Sequence, residues 1–264
     1  MIDLHVHSYW SDGDQSPAQL VRMAKAKGLE AIALTDHDTL AGGAELRQAG
    51  LAEGLRVLEG IEISCTQEDG RQLHLLGYNF SETGRDVMEA FCAPIRQSRN
   101  EAVRQAVAAV RALGYPVTLE QVQAMAGPGG DLCKQYVMQV LIDAGVCDEL
   151  YGSLYRKLFK EGPARLSFYT PRPEEALRWV AAAGGRAVLA HPGQYNNFAM
   201  VPVLARAGLW GIEAYHPKHS EADTAHCLSL AAEYGLAVTG GSDFHGRFGE
   251  GEVLGDHGVE RVDL

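Results

Sequence analysis

Short apolar runs alternate with helix start and stop signals at both ends of this chain, and that alternation restricts it to folds assembled from βαβ units. The runs are 2–7 (IDLHVH), 31–35 (AIALT), 57–63 (VLEGIEI), 72–78 (QLHLLGY), 186–190 (RAVLA), 211–215 (GIEAY) and 236–241 (LAVTGG). Ser16-Pro17 opens a helix as N-cap and first-turn proline, and Gly28 closes it. Pro173-Glu174-Glu175 opens another that stops at Gly184-Gly185, and Ser220-Glu221 opens a third that stops at Gly235. Between about 85 and 165 the alternation stops. There the spacing predicts one long helix over 86–112, a turn at Gly127–Gly130, and shorter helices over 132–144 and 148–160.

The reading is therefore a barrel-type domain from 1–84 and 166–264, split by an all-helical insertion at 85–165 that acts as a lid or substrate subdomain. A chain of 264 residues, 46% of them hydrophobic, is large enough to bury such a core. No apolar stretch approaches the length of a membrane span, and no signal peptide is visible, so the expected location is the cytoplasm. The five cysteines are scattered with no CxxC pair, which fits a reducing compartment and excludes a zinc ribbon. A net charge of −11 without a Lys/Arg tract argues against duplex DNA as a partner.

The polar residues at the strand ends carry the chemistry. Residues i and i+2 of a strand share a face, so His5 and His7 project together, with Ile2, Leu4 and Val6 expected on the other side. Asp12 follows in the next turn. The second run ends in Asp36-His37-Asp38, the third supplies Glu62, the fourth His74, the fifth His191 and the last Asp243 and His245. In a parallel (β/α) barrel the strand C-termini gather at one mouth. Imidazole and carboxylate donors there suit Mn²⁺, Fe²⁺ or Zn²⁺, and Glu62 can bridge two ions. Asp36 and Asp38 are expected to orient ligands or shape the turn.

With HVHSYWSDG at 5–13, LTDHDT at 34–39, GIEIS at 60–64, HLLGY at 74–78, AHP at 190–192 and TGGSDFHG at 239–246, the chain resembles the PHP (polymerase and histidinol phosphatase) superfamily over essentially its whole length. It is most similar to the stand-alone phosphoesterases that include 3′,5′-nucleoside bisphosphate phosphatases, some with 5′–3′ RNA exonuclease activity. The resemblance implies an α/β fold class, a distorted (β/α)7 TIM-like barrel, and a site for three divalent ions. Manganese is the first expectation, with iron or zinc as substitutes. His5, His7, Glu62 and Asp243 would hold one ion, Glu62, His74 and His191 a second, and Asp12, His37 and His245 the third. The implied reaction is hydrolysis of a phosphate ester of a small metabolite by a metal-bridging hydroxide. A nucleotide is the first substrate, as a 3′,5′-bisphosphate or a monophosphate. Cyclic phosphodiesters, sugar or histidinol phosphates and short RNA ends are alternatives. A non-catalytic binding module is disfavoured, because no ligand position is missing.

Among catalytic residues, Glu62 and Asp243 are expected to hold metal, and His219 in YHPKHS (215–220) to contact phosphate or protonate the leaving oxygen, ahead of His216. Arg96, Arg99 and Asn100 fall mid-way along the long helix, where the arginines either bind phosphate or form a solvated stripe. Lys160 in LFKEGP corresponds to a lysine loop in related enzymes, or is simply a helix C-terminal cation. Related bisphosphatases carry an Arg-Pro-His stretch that this chain lacks. The corresponding region reads GGDLCKQYVMQVLIDAG (129–145), in which Lys134 can restore positive charge.

Overall fold

The computed structural model describes residues 1–264. Seven strands form one sheet in sequential order: β1 (Ile2–Val6), β2 (Ala31–Leu34), β3 (Arg56–Thr66), β4 (Gln72–Tyr78), β5 (Arg186–Leu189), β6 (Gly211–Tyr215) and β7 (Ala237–Gly240). The helices are α1 (Pro17–Ala26), α2 (Gly43–Glu53), α3 (Glu82–Ala112), α4 (Leu119–Gln123), α5 (Lys134–Asp143), α6 (Ser153–Tyr155, running into a π-helical turn over Arg156–Lys160), α7 (Pro173–Ala182), α8 (Pro192–Tyr195), α9 (Val201–Arg206) and α10 (Glu221–Tyr234). Capping follows the sequence signals. The Ser16 and Ser220 hydroxyls accept from the backbone N–H three residues on, and Gly28, Gly184 and Gly235 take the left-handed conformation after the last turn.

The sheet curls into a nearly closed, TIM-like barrel. Closure falls between β1 and the segment after β7: His7 N–H donates to the Phe244 carbonyl at 3.0 Å and Asp243 N–H to the His5 carbonyl at 2.8 Å. Gly241 permits that approach, since a Cβ there would sit 2.4 Å from His5 Cβ.

Two departures from simple alternation matter. First, β4 runs antiparallel to both β3 and β5, so His74 reaches the mouth from the N-terminal part of its strand rather than from a C-terminal end. Second, the β1–β2 register shifts between Asp3 and Val6. Ile2 and Leu4 consequently pack with Ala31, Ala33, Leu76, Tyr78 and Val188 in one cluster, while Val6 packs with Leu20, Ile32 and Leu34 in another. The three apolar residues of β1 therefore do not share a face; an irregularity of this kind re-aims side chains beside a site.

The helical layer holds two cores. Met88, Cys92 and Ile95 in the first half of α3 pack against β3, β4, α7 and α9, whereas Val103, Ala106, Val107 and Val110 in its second half belong to a separate cluster with α5, Tyr155, Leu158 and Phe159. One helix thus belongs to the barrel and then to the inserted helices. The helices between β4 and β5 also meet the segment after β7. Phe248, from beyond β7, is buried in their core, and the Tyr151 hydroxyl donates to the Phe248 carbonyl at 2.9 Å. Gly127 meets the Tyr9 carbonyl so closely that any Cβ would overlap it. No helix is long and apolar enough to cross a membrane.

Candidate metal centre

Glu62, at the middle of β3 and buried, organises the mouth. Its two oxygens face different partners. Oε1 lies 2.7 Å from His74 Nδ1 and 2.9 Å from His191 Nε2. Oε2 lies 3.4 Å from His5 Nε2, 3.3 Å from His7 Nε2 and 3.1 Å from His37 Nδ1. Asp243 Oδ1 approaches the same two β1 histidines, at 3.3 Å from His5 Nε2 and 3.0 Å from His7 Nε2. At the outer edge, Asp12 lies 3.2 Å from His245 Nε2, 3.6 Å from His7 Nδ1 and 3.8 Å from His37 Nε2. All nine donors named from the strand ends are therefore brought into one continuous cluster.

These residues fit divalent cations. His5 Nε2, both nitrogens of His7 and His37 Nδ1 are buried yet have no hydrogen-bonded partner. They sit at close range to carboxylate oxygens without hydrogen-bond alignment, as ligands do when lone pairs aim at a shared ion rather than at one another. Burial alone would push the carboxyls of Asp12, Glu62 and Asp243 up; the surrounding imidazoles outweigh it and hold all three well below the usual range. The donor set offers ionised oxygen and imidazole nitrogen together, the combination that divalent transition metals take. Cations there would offset the deficit that this acidic chain has as a binder of phosphate.

The backbone is strained where it delivers these groups. His191, Asp243 and Asp38 have φ of 25°, 52° and 57°, in a region non-glycine residues seldom adopt. Asp38 is held there by Ser64, whose N–H and hydroxyl donate to its two oxygens at 2.8 and 3.0 Å. Asp36 accepts from Ser8 N–H and the hydroxyls of Ser8 and Ser11, fixing the loop that carries Asp12. Both aspartates shape turns, as expected.

The substrate-side residues fall in three places. Arg99 pairs with the Asp38 carboxylate, while Arg96 donates to the Asp38 carbonyl at 2.5 Å and pairs with Glu89 at 2.9 Å, so both guanidinium groups are tied to the turn that carries His37. Asn100 holds Asp131 and the Leu132 N–H at 3.0 and 2.7 Å. Lys134 and Lys160 flank the Tyr155 ring at 5.9 and 5.8 Å. Burial lowers the Lys134 ammonium pKa, and the nearby Asp12 carboxylate opposes that shift. The next residue, Gln135, donates to Asp12 Oδ2 at 3.1 Å, bringing the start of α5 to the outer edge of the cluster.

His219 lies apart. Its Nδ1 sits 2.9 Å from the Ala214 carbonyl and its Nε2 accepts from Gly193 N–H at 3.0 Å, so backbone groups occupy both ring nitrogens. Two other residues of the β6 end do join the cluster. Glu213 is fully buried, with its Oε1 2.9 Å from His5 Nδ1, and His216 Nε2 lies 3.3 Å from Asp243 Oδ2. Glu213 went unnoticed in the sequence, although a glutamate inside the apolar run GIEAY was a signal that it faces a partner.

The PHP domain family matches residues 3–178. A phosphoribosyl 1,2-cyclic phosphate 1,2-diphosphodiesterase from Eggerthella lenta is 39% identical, covering 94% of this chain and 95% of that protein. A 3′,5′-nucleoside bisphosphate phosphatase from Chromobacterium violaceum is 32% identical, covering 92% and 87%. A crystal structure from Bifidobacterium adolescentis, described as a metal-dependent phosphoesterase, superposes with a TM-score of 0.90 at 27% identity, covering 98% of this chain and 92% of that one. The chain belongs to the PHP domain family. Its chemistry is that of a metal-dependent phosphoesterase, and the His/Asp/Glu cluster fits divalent metals.

Proposed function

We propose that this chain hydrolyses one phosphate ester of a small ribose-based compound carrying two phosphoryl groups, with three divalent ions, manganese first, at the barrel mouth. The observation that carries the reading is the arrangement of two adjoining loci: the donor cluster centred on Glu62, and the cationic start of α5 at its Asp12 edge. The names of both relatives, a phosphoribosyl 1,2-cyclic phosphate diesterase and a nucleoside 3′,5′-bisphosphate phosphatase, specify two phosphoryl groups on one compound. One would react at the cluster while the other is anchored nearby.

Divalent ions in such a cluster supply Lewis acidity to the phosphoryl oxygens and lower the pKa of an attacking water. The chain's own residues set the geometry. Glu62 presents one oxygen to His74 and His191 and the other to His5, His7 and His37, which suits a carboxylate shared between neighbouring ions. Asp243 completes the inner position, and Asp12 with His37 and His245 forms the outer one. Lys134 and Lys160, both close to the Tyr155 ring, face the non-reacting phosphate. Arg96 and Arg99 brace the His37 turn and lend their remaining N–H groups to the same anion. His219 braces the turn after His191, so solvent delivers the proton to the leaving oxygen. Beyond the first half of α3, which packs on the barrel, the inserted helices of 85–165 form a lid that shields the reacting centre from bulk water.

Of the two compounds, the cyclic ester comes first. The chain is more similar to the diesterase, and 129–145 lacks the Arg-Pro-His stretch expected of bisphosphatases. The free thiols of Cys65, Cys92, Cys133, Cys147 and Cys227 support a cytoplasmic location. The test is turnover by the manganese-loaded protein of a ribose 1,2-cyclic phosphate 5-phosphate, a nucleoside 3′,5′-bisphosphate, their counterparts lacking the non-reacting phosphate, and histidinol phosphate. The doubly phosphorylated compounds are expected to be the best substrates. Equal turnover of the singly phosphorylated ones would overturn the two-locus reading.

A further inference from the structure

We infer that Glu213 is a positioning residue that fixes two histidines assigned to different metal positions, an inference that rests on the metal reading above. Its side chain is fully buried at the end of β6 and makes two separate contacts. Oε1 accepts from His5 Nδ1–H at 2.9 Å, and Oε2 accepts from His191 N–H at 2.8 Å.

The first contact sets a tautomer. With the proton on Nδ1 directed at Glu213, His5 keeps the Nε2 lone pair toward Glu62 and Asp243, and that nitrogen is the buried, unpartnered one. The second contact acts on backbone. His191 has a φ of 25°, and its own carbonyl accepts from Gln194 N–H at 3.0 Å as α8 begins. The Glu213 oxygen pins the N–H side of that peptide, and so aims the imidazole at Glu62 Oε1. One carboxylate therefore sets the inner face of His5 and the direction of His191, which meet different oxygens of Glu62.

Two acceptor oxygens are needed for two N–H donors. In Glu213→Gln the shape survives, but the amide nitrogen must face one of the two donors. If it faces His5, the ring takes the other tautomer, places a proton on Nε2 and can no longer ligate from there. If it faces His191, two N–H groups oppose each other and the strained peptide turns.

The experiment is titration of the metal-free protein with Mn²⁺, reading dissociation constants by calorimetry and ions retained after gel filtration by elemental analysis, alongside the metal-free melting temperature. Wild type is expected to retain several ions. Glu213→Gln is expected to bind the tighter ions about 10- to 100-fold more weakly, the range for an outer partner of a metal ligand, and to retain fewer of them. Its metal-free melting temperature should stay near that of wild type. Glu213→Asp, which keeps two acceptor oxygens on a shorter stem, should recover part of the affinity. Wild-type affinity and stoichiometry in both variants would overturn the inference. So would a Gln variant whose metal-free melting temperature falls while its affinity is kept, because Glu213 would then serve the fold alone. A wild-type protein that binds no Mn²⁺ would instead overturn the metal reading itself.

Discussion

The Tyr136 hydroxyl donates to the Ser11 carbonyl at 3.0 Å, joining helix α5 of the insertion to the residue before Asp12. Tyr136 is buried, so Tyr136→Phe leaves that carbonyl without its donor while keeping the ring packed against Phe248. A lost bond of this kind costs about 1 kcal/mol. Both melting temperature and kcat/KM should fall, the latter by ~5-fold for that energy. Unchanged values in both would show that this contact does not hold the insertion on the mouth.

Asp243 touches the inner histidines through one oxygen and His216 through the other. Asp243→Ala removes a metal-facing oxygen from the centre of the cluster. Phosphoesterase activity should drop by about 10³-fold, equivalent to ~4 kcal/mol of transition-state stabilisation. His191→Ala should do the same, with the circular dichroism of both variants unaltered. Activity persisting in both variants would remove the cluster from the mechanism.

Lys134 stands on the first turn of α5 beside Asp12. Lys134→Met keeps the stem and removes the charge. KM for a doubly phosphorylated substrate should rise by about 10-fold or more, as expected for losing a charge-assisted bond, with little change for a singly phosphorylated one. An equal rise for both would place Lys134 at the reacting phosphate instead.

Metal should stabilise the fold, because the orphaned nitrogens of His5, His7 and His37 gain partners only when cations bind. Mn²⁺ at a hundredfold excess over Kd should add ~2.7 kcal/mol per site, seen as a rise in melting temperature that a chelator reverses. A melting temperature indifferent to Mn²⁺ would contradict the fit of this donor set.

The thiols provide a check on burial. Burial pushes Cys65 and Cys92 well above the ordinary thiol range, raises Cys133, and moves Cys227 to about 12; it raises Cys147 as well, but that thiol alone is partly exposed. A thiol reacts as its thiolate, and the thiolate fraction grows as pH rises toward the pKa. At pH 8 a disulfide reagent should therefore modify Cys147 alone in the folded protein and all five cysteines in denaturant. Rapid modification of more than one thiol in the native state would contradict the packing of both cores.

Local physics made much of this molecule legible in its sequence. Apolar runs between turn residues located all seven strands, and Ser16, Ser220, Gly28 and Gly235 marked helix ends because capping acts between near neighbours. The nine donors were legible for a similar reason, as histidines and carboxylates in or just after the apolar runs, although Glu62 lies at the middle of β3 rather than at its end.

Tertiary structure decided the rest. The antiparallel course of β4 explains how His74 reaches Glu62 from the start of its strand, and strand direction is set by pairing with β3 and β5 rather than by β4's own residues. The register shift in β1 separates Val6 from Ile2 and Leu4, a consequence of how β1 seats on β2 that alternation alone does not encode. Glu213 gained meaning only when β6 closed beside β5 and placed its oxygens against His5 and His191. Residue type suggests that His219 contacts phosphate or protonates the leaving oxygen; the backbone contacts of both its nitrogens, with Gly193 and Ala214, arise only in the folded chain. Residue type and spacing determined which groups were available; long-range register determined which atoms face one another, because hydrogen-bond and ligand geometry are set across strands distant in the chain.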